Sequence, residues 1–330
     1  MIEIDGCVGG GQLLRTSLSL SVITGKAFKI KNIRSTRDQP GLKNQHLTCV
    51  RAAKEICDAE VKGNDLGSKE LEFIPNKIKN CEFKFNVGTA GSTSLVAQTL
   101  LPVFLFYKKK TRLEISGGTE TMACPPSYDF ENLFLYFLSK FGADVEFEIV
   151  KHGFFPKGGG KIILEINKSE IEPIVITARG DLKEVKVVAI ASKELKKVNV
   201  ATRLISGFKK YTYLNHEIEE IRDYVDTFSI GCFIQAYAGF ENTRIGLTVL
   251  GERNKTSEEI GKKCAEGLKK ELENGFSVDK YTADQLLIYL ALYGGSINAD
   301  ITDHVRTNIE IIEKFLDVKF KIEGNKISVK

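Results

Sequence analysis

The same order of predicted helices and strands returns at three places along the chain, and this repetition restricts the possible fold more than any other feature. Each unit reads helix, strand, helix, strand, because apolar residues follow helical spacing and then alternate. The predicted elements are 13–23, 27–33, 43–57 and 59–62 in the first unit, 92–107, 111–116, 128–141 and 143–150 in the second, and 283–293, 296–301, 305–315 and 318–323 in the third. One architecture used three times, with helices covering sheets, predicts an α/β (α+β) fold.

Residues 181–274 interrupt this repetition. They contain predicted strands at 184–191, 229–238 and 243–250 and predicted helices at 200–213 and 257–274. A long insertion is tolerated when its two ends leave the parent domain close together. We therefore expect a large domain built from residues 1–180 and 275–330, and a smaller inserted α/β domain at 181–274 that lies between the second and third units.

Composition excludes several classes of protein. The 330 residues are 42% hydrophobic and 27% charged, which is typical of a globular chain, and the net charge of +4 is too small to indicate nucleic-acid binding by itself. Seven scattered cysteines without a CxxC pair suggest neither a disulfide framework nor a thiolate metal site. The apolar stretches are far shorter than the ~20 residues of a membrane helix, and the N-terminus does not read as a signal peptide. We expect a cytoplasmic protein without a membrane partner.

Three glycine-rich segments are candidates for phosphate binding. Gly9, Gly10 and Gly11 open the first predicted helix, and residues 88–92 (GTAGS) open the helix at 92–107. Free backbone N–H groups at a helix start suit an anion, although neither segment is a Walker or GxGxxG motif, and a tight helix-entry turn remains an alternative. In the third segment, HGFFPKGGGK (152–161), three glycines between two lysines have no evident packing role, which favours a functional turn.

Basic residues gather around the turn at 38–41. Arg34, Arg37 and Lys43 flank it, and Gln45 and His46 lie just inside the following helix. Arginine matches phosphate through paired hydrogen bonds, so this segment could hold phosphates, with a solvated loop as an equally weighted alternative.

Among the four histidines, His304 has the most suggestive position. It lies where a strand ends and a helix begins, and Thr302 or Asp303 can cap that helix. The positive end of a helix disfavours the imidazolium, so we expect a neutral ring, which is the nucleophilic form. From the residues alone, a structural or hydrogen-bonding histidine remains the alternative. His46 and His152 adjoin possible phosphate turns, and His216 is expected at the surface.

Seven segments, taken together, resemble the motifs of the RNA 3′-terminal phosphate cyclase family and occur in that family's order over nearly the whole chain. They are Asp5-Gly6 with GGGQLLR (9–15), IRSTRDQPGLKNQH (33–46), GTAGSTSLVAQTLLP (88–102), SGGT…PPSYDF (116–130), HGFFPKGGG (152–160), YTADQL (281–286) and TDHVRTNIEIIEKFL (302–316). The resemblance implies three repeated two-helix, four-strand units, each like the C-terminal domain of a bacterial translation initiation factor, and a smaller inserted α/β domain.

The resemblance also implies an activity of the ATP-dependent ligase class that proceeds by nucleotidyl transfer. A ring nitrogen of His304 would attack the α-phosphate of ATP, release pyrophosphate and carry AMP. The AMP would pass to an RNA 3′-phosphate, and the neighbouring 2′-OH would then close a 2′,3′-cyclic phosphodiester. The implied partners are ATP, Mg²⁺ or Mn²⁺, and an RNA with a 3′-terminal phosphate. The oligomeric state stays open, with a homodimer as one candidate.

Individual site residues carry over from the matching motifs. Tyr281 would stack on adenine. The implied neighbours of the nucleotide are Thr282, Ala283, Asp284, Gln285, Gln98 and Pro125, and the implied ligands of ATP phosphates or the RNA end are Arg15, Arg34 and Gln45.

One segment departs from the family pattern. The family opening DGxxGEGGGQ is shortened here to DGCVGGGQ, without the glutamate expected near the divalent metal. The protein ligand of the metal is therefore unassigned, with Asp5 as a possible substitute. Two rival interpretations are a non-enzymatic ribosome-biogenesis relative of the same fold, which lacks the nucleophilic histidine, and an enolpyruvyl transferase, which would leave HGFFPKGGG unexplained.

Overall fold

The computed structural model describes residues 1–7, 10–88, 90–122 and 124–329. Its first sheet contains β1 (Ile2–Asp5), β2 (Phe28–Lys31), β3 (Glu60–Lys62) and β4 (Leu71–Ile74), arranged in the order β1-β2-β4-β3. Helix α1 (Gly11–Thr24) joins the parallel strands β1 and β2, and α2 (Asn44–Cys57) follows β2. In β2, buried Phe28 and Ile30 alternate with half-buried lysines, so one face of the sheet packs inward.

The second sheet has the order β5-β6-β8-β7, with β5 (Glu82–Asn86), β6 (Thr111–Gly117), β7 (Val145–Lys151) and β8 (Gly160–Ile166). Helix α3 (Thr93–Phe106) joins the parallel strands β5 and β6. The helix predicted at 128–141 is a series of three pieces: α4 (Ser127–Asp129), a π-helix (Phe130–Leu135) and α5 (Tyr136–Lys140). Strand β8 lies outside the predicted elements.

Strand β9 (Ile174–Ile176) comes next, and the chain then forms a sheet of its own. This sheet has the order β11-β10-β12-β13, with β10 (Leu182–Ser192), β11 (Ile218–Val225), β12 (Cys232–Phe240) and β13 (Arg244–Leu250). Helices α6 (Val200–Tyr211) and α7 (Ser257–Glu273) pack together on it and enclose a separate apolar cluster that includes Ala189, Leu204, Phe208, Ile234 and Leu268. Domain boundaries at 181 and 274 stay a prediction.

The last sheet is built around β9. It has the order β15-β16-β14-β9 and contains β14 (Gly295–Asn298), β15 (Lys321–Glu323) and β16 (Lys326–Val329), with helices α8 (Lys280–Tyr293) and α9 (Asp303–Phe315) in the same part of the chain. Strands β9 and β14 pair in parallel, with Ile174 opposite Gly295. The insert therefore follows the first strand of this sheet and precedes its other three strands.

Three of the four sheets in the described part of the chain share one connectivity. Taken in chain order, the strands of each lie as first-second-fourth-third; the first two are parallel, and the other neighbours are antiparallel. The sheet of the insert has a different order. The chain has the mixed α/β fold expected from its sequence, and the likeness of each unit to a translation initiation factor domain stays a prediction.

Helix α1 lies at the centre of the main core. It contacts α2, α3 and α9, and its apolar side chains are buried on every side. Buried serines of this helix are hydrogen-bonded, since Ser17 donates to the carbonyl of Leu13 in the same helix (2.7 Å) and Ser19 donates to that of Thr99 in α3 (2.7 Å). The position of α1 fixes where its N-terminus points.

Across the described ranges, no helix combines the length and apolar character that a bilayer crossing requires.

Two glycines of α7 offer a matched test of the packing in the insert. A Cβ at Gly261 would lie 2.1 Å from the carbonyl oxygen of Leu204 in α6, whereas a Cβ at Gly267 would meet a flexible methyl group of Leu247 at 2.6 Å. We expect Gly261→Ala to lower the free energy of unfolding by about 1–3 kcal/mol through overpacking against backbone. Gly267→Ala, which gains the same helix propensity, should change it by less than about 1 kcal/mol. Denaturant unfolding measures both, and equal effects would contradict the close contact of α6 with α7.

Candidate active site

A cleft of about 1270 Å³ lies between the main body and the insert. The first turns of α1, α2, α3, α8 and α9 border it, and strand β13 of the insert forms part of the opposite wall. Each helix start carries the positive end of the helix dipole and backbone N–H groups that have no acceptor within the helix. Their convergence makes the cleft a favourable place for a polyanion.

His304 is the second residue of α9 and borders this cleft. The helix is capped by Thr302, whose Oγ1 accepts a hydrogen bond from the backbone N–H of Val305 (3.3 Å). Nδ1 of His304 lies 3.7 Å from Oδ2 of Asp284 in α8, which is an ion-pair distance; the His304 side chain is 57% exposed and that of Asp284 is 14% exposed.

The expected effect of the helix start on the pKa of His304 is outweighed by that of a neighbouring carboxylate. The Asp284 carboxylate raises the pKa of His304 above its usual value, and this effect exceeds the opposing effects of burial, Arg15 and Arg37. The helix start therefore does not by itself keep the ring neutral. The nearby carboxylate is the stronger influence, because its full negative charge lies beside Nδ1.

Asp284 is held in place by a chain of hydrogen bonds through three helices. Asn308 of α9 donates through Nδ2 to the backbone carbonyl of Asp284 (2.8 Å), and Thr16 of α1 donates to Oδ1 of Asn308 (2.7 Å). Asn308 is buried. This chain fixes α8 against α9 and therefore fixes the carboxylate relative to the imidazole.

The residues implied as nucleotide neighbours lie mainly on α8 and α3. Tyr281 is 57% exposed at the cleft, and its ring centroid is 4.8 Å from the Lys280 ammonium. Gln98 donates a hydrogen bond to the side-chain oxygen of Gln285, which in turn donates to the carbonyl of Tyr281. The structure thus brings Gln98, Tyr281 and Gln285 together.

Pro125 and Thr282 also line the cleft, whereas Ala283 does not reach it. Ala283 is fully buried in the main apolar core. A direct contact of its side chain with a nucleotide is therefore not supported, and Ala283 is better explained as a core residue of α8.

The implied phosphate ligands Arg15 and Gln45 border the cleft, and His46 lies beside Arg15. A Cβ at Gly11 would lie 2.7 Å from Nε2 of His46 and 2.9 Å from Nη1 of Arg15, so a side chain at this position would displace these groups. Nδ1 of His46 accepts a hydrogen bond from the backbone N–H of Lys43 (3.0 Å). Burial, followed by the charges of Arg15, Arg34 and Lys43, lowers the pKa of His46 to about 3. His46 is consequently neutral with its proton on Nε2, facing Arg15.

Arg34 has a more structural environment than expected. Its Nη1 donates to the backbone carbonyls of Gln39 and Gly41, both at 3.2 Å, and thereby supports the turn that follows it. The side chain still lines the cleft, together with exposed Arg37. Arg34 therefore shapes the basic loop and adds positive charge to the cleft.

The residues that we expected near a divalent metal do not form a ready-made site. Oδ1 of Asp5 accepts hydrogen bonds from the Cys7 N–H (2.9 Å) and from Nδ2 of Asn32 (3.1 Å), and Asp5 is not among the residues that line the cleft. Within the ranges that the structure covers, no three His, Cys, Asp or Glu side chains are grouped to hold a metal ion. Gly9 and Thr89, which belong to the predicted glycine turns, lie outside the described residues.

The third glycine segment has a packing role, contrary to expectation. A Cβ at Gly159 would lie 2.1 Å from the ring of Phe228, and one at Gly153 would lie 2.3 Å from the backbone nitrogen of Gly160. The segment 152–161 does not border the cleft. Its glycines permit close contacts between chain segments and do not form an anion turn of this site.

Three acidic residues of the cleft, Asp129, Glu252 and Asp279, were not identified from the sequence. Asp279 caps α8 by accepting hydrogen bonds from the N–H groups of Tyr281 and Thr282 (both 2.9 Å), and burial raises its pKa to about 7. Asp129 accepts hydrogen bonds from Thr248 and Gln235 of the insert (both 2.7 Å). An aspartate directly before the first turn of α8 is a capping signal that could have identified Asp279.

The influence of Asp284 on His304 can be measured directly. We expect Asp284→Asn to lower the pKa of His304, because burial, Arg15 and Arg37 all disfavour the imidazolium once the carboxylate is removed. NMR titration of histidine-labelled protein reports the change. The titration of His152, whose pKa burial lowers to about 4, is the internal control and should not move. An unchanged His304 midpoint in Asp284→Asn would show that the carboxylate does not act on the ring.

The known proteins described here as similar to this chain share one name. A family model described as RNA 3′-terminal phosphate cyclase matches residues 7–322. A relative of that name from Saccharolobus solfataricus is 41% identical over 332 residues, which cover 99% of this chain and 97% of the relative. Relatives of the same name from Archaeoglobus fulgidus (37% identical, 100% of both chains) and Ectopseudomonas mendocina (35% identical, 96% of this chain and 93% of the relative) are also similar throughout.

The match covers the glycine-rich start of α1, the basic turn, the first turn of α8 and His304, which are the parts that meet at the cleft. Identity above one third extends over almost the full length of both partners. The chain belongs to the RNA 3′-terminal phosphate cyclase family.

Proposed function

We propose that this protein converts the 3′-terminal phosphate of an RNA to a 2′,3′-cyclic phosphodiester at the expense of ATP, through an AMP adduct on His304. The observation that carries the proposal is the His304–Asp284 pair at a cleft bordered by the positive ends of several helices. A nucleophile and a polyanion-binding environment occur in the same place, as nucleotidyl transfer requires.

The dimensions of the cleft support two substrates. Small-molecule sites usually enclose about 300–1,000 Å³. At about 1270 Å³, this cleft has room for a nucleotide and for the terminal residue of an RNA strand. The transfer of AMP from ATP to an RNA end through a protein group needs both occupants in turn.

Tyr281 supplies the surface for adenine in this proposal. Its exposed ring can stack on a base, and Pro125 also borders the cleft. The linked amides of Gln98 and Gln285 offer both donors and acceptors to ribose or base. Ala283 is not included, since it is buried in the core.

Asp284 prepares His304 for the first step. With Nδ1 directed to the carboxylate, the proton resides on Nδ1 and the lone pair on Nε2. Nε2 attacks the α-phosphorus, a nitrogen–phosphorus bond forms, and the bond to the pyrophosphate oxygen breaks. Asp284 then stabilises the positive charge that the ring acquires, in the same way that it raises the pKa of His304.

The next two steps return His304 to its starting state. A 3′-phosphate oxygen of RNA attacks the phosphorus of the adduct, the nitrogen–phosphorus bond breaks, and AMP becomes joined to the RNA phosphate. The vicinal 2′-oxygen then attacks the RNA phosphorus, loses its proton and displaces AMP. Arg15, Arg34 and Arg37, with Gln45 and the Nε2–H of neutral His46, provide donors for these phosphates.

A divalent metal at this site would be held mainly by substrate phosphates and water, with cleft carboxylates such as Asp279 or Asp284 as its protein ligands. Mg²⁺ commonly keeps several waters and binds substrate phosphates with one or two carboxylates. Because the described residues contain no metal-binding cluster, no step in the proposal depends on a protein-held ion.

The test uses a short RNA that carries a 5′ label and a 3′-phosphate, with ATP and Mg²⁺ or Mn²⁺. Wild type should produce a phosphatase-resistant cyclic end only when ATP is present, and His304→Ala should lower the rate by a factor of about 10³ or more. His216→Ala, which removes a half-buried histidine of the insert that does not line the cleft, is the matched control and should keep full activity.

Cyclic product without ATP, or an unchanged rate in His304→Ala, would refute the proposed route. Absence of product from wild type under all these conditions would instead favour the non-enzymatic relative of the same fold. An RNA with a 3′-hydroxyl must remain unchanged, since it lacks the phosphate that receives AMP.

A further inference from the structure

Exposed apolar side chains gather outside the cleft, where the glycine segment 152–160 meets the insert. Phe155 is 72% exposed, Phe228 is 59% exposed and Ile230 is 64% exposed. They lie on two segments that contact each other, since the Lys157 N–H donates to Oγ of Ser229 (3.1 Å). We call Phe155, Phe228 and Ile230 the aromatic patch.

The backbone beneath Phe155 is well supported. Phe154 is buried next to Phe233 of the insert, and its carbonyl accepts a hydrogen bond from the Gly158 N–H (2.9 Å). The Gly153 N–H donates to Oγ1 of Thr119 (2.9 Å), and the Thr119 N–H donates back to the Gly153 carbonyl (3.0 Å). Phe155 is therefore presented to solvent at a defined position. Adjacent exposed apolar groups of this kind mark binding surfaces.

The charge next to the patch is positive. The Lys151 ammonium lies 3.5 Å from the centroid of the Phe228 ring, and Lys157 belongs to the same turn as Phe155. For either lysine, no carboxylate of the described residues lies within 4.0 Å of the ammonium. Aromatic rings beside cations that no carboxylate neutralises suit a single-stranded nucleic acid, whose bases stack and whose backbone is anionic.

The patch is close to the cleft. Phe154 forms a bridge with Glu120, and the next two residues, Thr121 and Met122, line the cleft. At about 3.8 Å between successive Cα atoms and about 5 Å across paired strands, Phe155 lies within roughly 13 Å of Thr121. A strand whose 3′ end is in the cleft needs only a few nucleotides to reach the patch.

We propose that the aromatic patch, with Lys151 and Lys157, binds single-stranded RNA a few nucleotides upstream of the 3′-terminal phosphate. A base stacks on Phe155, and the two lysines contact backbone phosphates. The identity of the occupant rests on the proposed function, which places the RNA end in the neighbouring cleft.

The test compares two 3′-phosphorylated RNAs, of two and of ten nucleotides, by fluorescence anisotropy without ATP. Phe155→Ala should weaken binding of the longer RNA by about 5- to 150-fold, the usual loss for one stacked base, and should leave the shorter RNA unaffected. Phe155→Trp should restore binding. Phe106→Ala, which removes an exposed ring at the end of α3, is the matched control and should change neither affinity. Lys157→Ala should reduce the salt dependence for the longer RNA.

An unchanged affinity of Phe155→Ala for the longer RNA, or an equal loss for both RNAs, would overturn the proposal. A change in the oligomeric state of Phe155→Ala, measured by light scattering, without a change in its RNA affinity would also overturn the proposal, because the patch would then join two copies of the chain. Attachment of AMP in the absence of RNA, measured on the same samples, separates the two proposals. If wild type does not attach AMP, the proposed function is wrong. If wild type attaches AMP but Phe155→Ala binds the longer RNA normally, only the proposed role of the aromatic patch is wrong.

Discussion

The first turns of five helices, α1, α2, α3, α8 and α9, border one cleft, and the packing of the main core holds them there. Helix α1 is buried at the centre and contacts α2, α3 and α9, so its first turn is held next to theirs. The hydrogen bonds from Thr16 to Asn308 and from Asn308 to the carbonyl of Asp284 also fix the position of α8. The positive ends of several dipoles thus face a common space, and an anion that enters it receives their combined stabilisation.

Local charges divide the cleft into two chemically different parts. His304 lies beside Asp284, which raises the pKa of the ring, whereas His46 lies among Arg15, Arg34 and Lys43, which together with burial lower its pKa to about 3. One histidine can therefore tolerate positive charge on its ring, and the other serves as a neutral N–H donor. Two imidazoles in one cleft are suited to different tasks by their neighbours alone.

Much of this arrangement could be predicted from the sequence, because the capping residues and apolar spacing of a helix are visible within a short stretch of sequence. The position of the insert could not, since β9 has only three residues and pairs with β14 beyond the insert. Packing at Gly159 and the core position of Ala283 were missed because both depend on residues that come close only in the folded chain. The pKa of His304 was misjudged for the same reason: the helix start is visible in the sequence, but the distance to Asp284 is not.

The proposed attachment of AMP to His304 is open to direct measurement by mass spectrometry of the protein after incubation with ATP and Mg²⁺ or Mn²⁺. We expect a species heavier by one AMP, with the adduct on His304 in the fragment spectra, lost in acid and absent from His304→Ala. An adduct on a lysine, or the same adduct in His304→Ala, would contradict it.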